Sequence, residues 1–501
     1  MTGLLKLLSS TLLALAITCR TNSDTNDYTK AVVIQTSKSG DKLAEKGVLD
    51  LFAKPATGLP VIKLNPEQKF QEILGFGGSF TESSAYVLTQ LSKEKREEVI
   101  RAYFAPEGAA YSLTRTHFNS CDFSLNSYAY ANNPGDKKLE NFSIEEDMDD
   151  LIPLIKDAMK VSRDGFKIIS SPWTAPPWMK DNNEWFGGSL KPEYYSTWAL
   201  YFSKYIKAYE KEGIPIWGVT IENEPIGNDA SWESMIYTPS QMADFLKNHL
   251  GPQFAKDNIQ SKIMIYDQNR DELKEWATTI LNDPDAAKYA WGTAVHWYSS
   301  TYEWYPGTLN EVHEMFPGKK LLHTEGCVDA EVPVWQDDDW YWCKEATDWG
   351  YTWASEETKY LHPKYKPAFR YARDIIGGLN SWFVGWIDWN IVLDTQGGPN
   401  HVSNWAVAPV IVKPETNEVY YTPLFYVLNH FSKYIRPGAH RIGVESGAEN
   451  LMVTACLNPD NSIAVEIFNP EENSVKYEIQ IGEKTVQYEI NGNAIQTVVI
   501  K

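Results

Sequence analysis

The chain has 501 residues, of which 43% are hydrophobic and 22% charged, enough for more than one apolar core and too ordinary a mixture for a disordered or fibrous protein. Its formal charge of -20 repels polyphosphate surfaces, which argues against nucleic acid as a partner and leaves neutral ligands open. Its 5 cysteines (Cys19, Cys121, Cys327, Cys343 and Cys456) show no CxxC pair and no clustered Cys/His spacing, so neither a disulfide scaffold nor a zinc site is indicated.

Residues 1–19 read as a secretory leader. Lys6 supplies the positive end, and Leu7 to Ile17 form an apolar stretch too short to span a bilayer. The leader closes on Ala16-Ile17-Thr18-Cys19, similar to the lipobox of bacterial lipoproteins with Thr18 as a loose match, so Cys19 is the expected lipidation site. The expected location is beyond the inner membrane of a bacterium, lipid-anchored on the periplasmic side or at the cell surface. Residues 20–30 are polar and suit a tether. Ala31–Ser37 and Val61–Leu64 read as strands that precede any helical pattern, so residues 31–65 are assigned to a β domain shared with the C-terminus.

From residue 66 to 430 the pattern alternates. Strands are predicted at Ile73–Gly78, Tyr111–His117, Lys167–Ser171, Ile216–Ile221, Lys262–Tyr266, Gly292–His296, Lys320–His323 and Trp382–Trp389. Helical spacing fills the gaps. One helix is expected to start at a capping box, Ser143 to Glu146, and to bury Met148, Leu151, Ile152, Ile155 and Met159. A second runs from Ser196 to Gly213, and a third from Ser240 to Leu250, stopped by Gly251-Pro252. Eight strands alternating with helices predict an α/β fold, a (β/α)8 TIM barrel whose site lies at the C-terminal strand ends. Residues 431–501 turn to short strands (Leu451–Cys456, Ser462–Phe468, Val475–Ile481, Lys484–Ile490 and Ala494–Ile500), read as a β-sandwich completed by the N-terminal strands.

Two of the barrel strands end in glutamate. Trp217 to Ile221 leads into Glu222-Asn223-Glu224-Pro225, and Leu321-Leu322-His323-Thr324 leads into Glu325-Gly326-Cys327. Buried carboxylates are costly unless paired or used. Two of them on one barrel rim match the needs of glycoside hydrolysis with retention, in which carboxyl groups about 5–5.5 Å apart serve as acid and nucleophile. The content of 19 Trp and 28 Tyr suits sugar clefts as well as cores, because an aromatic face covers the C–H face of a pyranose.

Further motifs stand in order along residues 70–440: Gly75-Phe-Gly-Gly-Ser-Phe-Thr-Glu82, Arg115 to Ser124, Ser171 to Trp178, His296-Trp-Tyr298, Gly385-Trp-Ile-Asp-Trp-Asn390 and Gly397-Gly-Pro-Asn400. With the two glutamate stretches they make the chain resemble glycoside hydrolase family 30, the group of lysosomal acid β-glucosidase and the β-1,6-glucanases. The resemblance implies Glu224 as general acid/base and Glu325 as nucleophile. It implies Asn223 on the sugar 2-hydroxyl and Arg115 beside the nucleophile. Asp122, Trp173 and Trp389 become walls of the first sugar subsite, His296 and Tyr298 orient the carboxylates, and Asn404 and Trp405 line the rim. It further implies free thiols at Cys121 and Cys327, and no cofactor or metal.

Glu222 is expected to be an ion partner behind the site rather than a catalytic group. Trp178, Trp185 and Trp232 could serve loop packing or sugar binding. The loop after Glu224 is largely polar, and the segment Gln336 to Trp340, flanked by Trp335 and Trp342, is acidic and aromatic. On that polarity the expected substrate is a β-1,6-glucan, with glucosylceramide or short β-glucosides as the alternative and β-xylosides as a lesser one. A surface glycan-binding protein without catalysis is the reading from a different class; it would leave β-glucosides intact.

Overall fold

The computed structural model describes residues 28–53, 58–329 and 366–501. The leader and Cys19, most of the tether, Cys343 and the acidic segment with Trp335 and Trp342 lie outside the described residues.

Eight parallel strands close into a barrel, and each overlaps its sequence-predicted counterpart. They are β1 (Gly75–Phe80), β2 (Leu113–Phe118), β3 (Lys167–Pro172), β4 (Gly218–Thr220), β5 (Lys262–Asn269), β6 (Ala290–His296), β7 (Lys320–Glu325) and β8 (Phe383–Asn390). Leu113, Ile169, Met264, Ala294, Leu322, Val384 and Ile387 fill the interior, so the barrel is a packed core with its chemistry confined to one end. Two glycines mark close approaches of the wall. A Cβ at Gly77 would overlap the Leu113 carbonyl oxygen, and one at Gly292 the Lys320 carbonyl oxygen.

Two helix expectations need correction. Residues Glu145–Met148 form one 3-10 turn, and the α-helix starts only at Leu151, capped by Asp150. Ser143 receives the Glu145 N–H at 3.2 Å and so caps the turn instead of the helix. Met148 and Met159 are exposed. The predicted stop at Gly251-Pro252 is not a stop. A helix from Pro239 passes through a π-turn at Leu246–Leu250 and continues to Asp257. Gly251 is required there because a Cβ would enter the Tyr289 ring. The start is a true capping box, Thr238 with Gln241.

The second domain is a ten-stranded sheet folded across itself. Its strands include Lys30–Ser37 and a long strand, Val61–Glu72, which pairs antiparallel with His440–Ser446 on one side and parallel with Val475–Ile481 on the other. Both halves feed one apolar cluster that includes Val33, Ile62, Val465, Ile479 and Ile500. The strand Ile463–Asn469 is buried on both faces. One face meets the sandwich core. The other meets barrel helices, where Phe468 packs edge-on against Phe369 with ring centroids 5.0 Å apart.

Candidate active site

The C-terminal strand ends bring the predicted polar residues into one network. Its centre is Asp267, which sequence reasoning passed over. This residue lies near the end of β5 in a left-handed conformation, φ 66°. One carboxylate oxygen accepts from Arg115 Nη2 (2.7 Å, from β2) and Thr220 Oγ1 (2.7 Å, from β4). The other accepts from Thr324 Oγ1 (2.6 Å, from β7) and lies 3.1 Å from His296 Nε2 (from β6). Burial alone would raise this carboxyl. Arg115, His296 and the Thr324 hydroxyl outweigh that and hold it well below the usual carboxylate range.

Arg115 is fully buried and fixed from every side. Its Nε donates to Ser171 Oγ (3.0 Å), its Nη2 also to Asn223 Oδ1 (2.9 Å), and its Nη1 to Glu325 Oε2. Trp173 and Trp389 stack on each other, centroids 5.1 Å apart, and the guanidinium lies 5.0 Å from the Trp173 ring centre. Glu325 receives a second hydrogen bond from the Tyr298 hydroxyl at 2.9 Å. Burial pushes the Glu325 carboxyl up, aided by the Glu224 and Asp267 carboxylates beside it, while His296 and Arg115 draw it back.

Glu224 faces it. The backbone of Glu224 is left-handed (φ 49°), uncommon for a residue with a side chain, and its N–H is held by the Asp267 carbonyl at 3.0 Å. Strand β4 is only three residues long, so this turn comes early and aims the carboxyl inward. Glu224 Oε1 lies 3.1 Å from His296 Nδ1. One oxygen each of Glu224 and Glu325 and one nitrogen of His296 all lie within 4.8 Å of one another. That triad has metal-ligand chemistry, but both His296 nitrogens already meet carboxylates and Arg115 already supplies the positive charge on Glu325. The arrangement fits an acid–base pair better than a cation cage. Burial lowers the basicity of His296, but the Glu325 and Asp267 carboxylates reverse this and raise it to about 9.

A cleft of about 320 Å³ opens above the pair, lined by Asp122, Trp173, Asn223, Tyr298, Trp389, Asn404 and Trp405 among others. Of the residues the resemblance assigned to the site, Asp122, Trp173, Asn223, Glu224, Tyr298, Glu325, Trp389, Asn404 and Trp405 line this cleft, and Arg115 and His296 touch the two glutamates from behind. Asn404 Nδ2 donates to Asp122 Oδ2 at 2.7 Å. Asp122 Oδ1 is buried with no hydrogen-bond partner among the described residues, as expected of an acceptor kept for a ligand hydroxyl. Of the three loop tryptophans, Trp232 lines the cleft. Trp178 donates to the Ala131 carbonyl at 2.9 Å and packs on Tyr194, and Trp185 gives its carbonyl to Lys180. Cys121 and Cys327 form no disulfide with each other, and the Cys327 sulfur lies 3.4 Å from the Tyr298 hydroxyl.

Glu222 departs from expectation. Both its oxygens are buried without a hydrogen-bond partner among the described residues, and no ion pair reaches it. Lys180, the nearest cation by effect, spends its ammonium on the Trp185 and Ser234 carbonyls at 3.0 and 2.8 Å. Burial therefore dominates and pushes the Glu222 carboxyl far up, so it is a neutral acid behind the wall of the site.

Comparison with known proteins agrees with this geometry. Residues 73–435 match the glycosyl hydrolase family 30 TIM-barrel domain and residues 438–498 its beta sandwich domain. The chain is 37% identical over 432 residues to the lysosomal acid glucosylceramidase of Mus musculus, covering 84% of this chain and 79% of that one. It is 28% identical over 430 residues to the endo-1,6-beta-D-glucanase neg1 of Aspergillus fumigatus, covering 81% of this chain and 80% of that one. Among solved structures, the endo-beta1,6-glucanase BT3312 superposes with a TM-score of 0.80 at 27% identity, over 94% of this chain and 99% of that one. With family models matching residues 73–435 and 438–498, the chain belongs to glycoside hydrolase family 30.

Proposed function

We propose that the chain is a retaining β-glucosidase in which Glu325 attacks the anomeric carbon and Glu224 gives a proton to the departing oxygen. The supporting observation is the pair itself: two carboxyls within 4.8 Å across one cleft, each held by different chemistry. Glu325 meets a guanidinium and a hydroxyl, both donors, which favour an anion ready to attack. Glu224 meets His296, whose other nitrogen faces Asp267. His296, which holds its proton up to about 9, lies 3.1 Å from Glu224 Oε1 and is a proton store from which Glu224 can be recharged. After the glycosyl–Glu325 ester forms, the deprotonated Glu224 takes a proton from water, and the attack of that water releases sugar with the β configuration.

For the group beyond the scissile bond we favour an apolar aglycone of the glucosylceramide type. On the loop after Glu224 the side chains of Ile226 and Ile236 are about 40% exposed (40% and 39%). Ile236 stands at the cleft wall, since a Cβ at Gly227, which lines the cleft, would lie 3.5 Å from it, and Ile226 is the residue before that glycine. The polarity of this loop, which favoured a glucan at the sequence level, is thus turned partly inward: Glu233 and Ser234 are buried and the isoleucines face out. The 37% identity to a glucosylceramidase supports the same reading. A β-1,6-glucan is the second reading, supported by the similarity to BT3312 over 94% of the chain. Side-by-side hydrolysis of glucosylceramide in mixed micelles and of the β-1,6-glucan pustulan separates them. Faster turnover of the lipid glucoside supports the first reading, and oligosaccharide release from pustulan alone overturns it.

A further inference from the structure

We propose that Glu233 and His401 form a proton-dependent latch that holds three rim loops together, making His401 a positioning residue for substrate. Glu233 lies beside Trp232 on the loop after β4 and is fully buried. Its Oε1 accepts from Ser120 Oγ at 3.0 Å and Ser127 Oγ at 2.6 Å, both on the loop after β2 that carries Asp122. The same oxygen lies 3.1 Å from His401 Nε2, on the loop after β8 that carries Asn404 and Trp405. His401 Nδ1 lies 2.9 Å from the Ser124 carbonyl, and the His401 backbone N–H donates to that carbonyl as well, at 3.1 Å. One carboxylate and one imidazole therefore fasten all three loops just outside the cleft.

Both ring nitrogens face acceptors. A neutral imidazole has one donor and would leave a lone pair against either the Glu233 carboxylate or the Ser124 carbonyl; only the imidazolium donates to both. The contacts around it are consistent with a held proton. Burial opposes the charge, but the Glu233 carboxylate overcomes this and raises His401, with Asp122 adding to it. Among the described residues the other titratable groups that feel Glu233 are Asp122, itself pushed up by burial, His117, Cys121 and Lys180. His117, on β2, is lowered to about 4 by burial and is neutral. Cys121 is held up as a thiol by burial. Lys180 is lowered to about 8 by burial and bonds to loop carbonyls. His401 is the group whose proton makes both cross-loop contacts.

Loss of the latch loosens the walls bearing Trp232, Asn404 and Trp405, which line the cleft, and so weakens binding of the ground and transition states alike. The effect falls on KM more than on kcat. The kinetic half of the test rests on the glycosidase reading; the exchange half does not. With n-octyl β-glucoside, the wild-type KM is expected to rise as the pH is raised and His401 loses its proton; His401→Gln is expected to raise KM about tenfold near pH 5.5, the worth of a charge-assisted hydrogen bond, and to abolish that pH course. Hydrogen–deuterium exchange should be faster in peptides covering residues 226–237 and 397–405 of His401→Gln than of wild type. A variant with wild-type KM, wild-type pH course and unchanged exchange in both segments overturns the latch. Wild-type protein that hydrolyses no β-glucoside overturns the glycosidase reading instead, and the exchange result still decides the latch.

Discussion

At the scale of residues, the mouth of the barrel is a balance of buried charge. Arg115 stands between Asp267 and Glu325, and each anion is tolerated because the guanidinium and hydroxyl donors surround it. Replacing Asp267 with Asn leaves the Arg115 charge underpaired and frees the donors of Thr220 and Thr324. The expected cost is about 3–5 kcal/mol of barrel stability, read by denaturant unfolding. A loss under about 1 kcal/mol would show that the network is not held by that ion pair. His296 supplies a pH dependence of definite sign. Its folded value, about 9, lies above the unfolded value near 6.5. Its contribution is therefore complete below 6.5 and is lost as pH rises through about 9. Wild type should lose stability across that window, and His296→Gln should lose less; equal slopes would contradict the assignment. The same substitution removes the stored proton, so the alkaline limb of kcat should move to lower pH.

The two glutamates proposed to act were legible because apolar runs lead into them and a buried acid is costly unless paired or used. Asp267 was not. Followed by Gln268, Asn269 and Arg270, it reads as a turn, and its four partners come from β2, β4, β6 and β7. Only closure of the barrel brings them together. Glu233 and His401 escaped notice for the same reason, being joined by tertiary contacts between loops that the chain separates widely. Glu222 reads as ion-paired because a buried carboxylate usually is; the Lys180 ammonium is instead held by the Trp185 and Ser234 carbonyls, which only the folded loops bring to it.

At the scale of elements, alternation located all eight strands, but helix ends followed tertiary contacts. Gly251-Pro252 looked like a terminator. The π-turn before it absorbs the missing proline N–H, and the Tyr289 ring occupies the space where a side chain would lie. The true signal at that helix is its start. Thr238→Ala removes the capping box and should lower stability by about 1 kcal/mol, measured by thermal unfolding. No change would mean that the Pro239 end is fixed by packing alone.

At the scale of the whole molecule, the sandwich acts as part of the barrel's wall. His430, in the helix Pro423–Tyr434, reaches Thr497 at 2.7 Å and Thr36 at 2.9 Å, and burial lowers it to about 3, so it is neutral. Cys456, Ala464, Phe468 and Ile495 of the sandwich belong to the same apolar cluster as the barrel helices. A chain ended after Pro437 would expose that face and should be recovered mainly as aggregate; a soluble, monomeric and active barrel would contradict this. At the other end of the chain, the proposed anchor predicts that labelled palmitate is incorporated in a bacterial host and that Cys19→Ser releases the protein from the membrane fraction. Equal partitioning of the variant would remove the anchor from the account.

The proposal that Glu325 is the nucleophile is tested most directly by trapping. Incubation with 2-deoxy-2-fluoro-β-glucosyl fluoride, whose second step is slow, should leave one covalent sugar per chain, and peptide mass spectrometry should find it on Glu325. A sugar on another residue, or inactivation without an adduct, would contradict the double displacement proposed for this cleft.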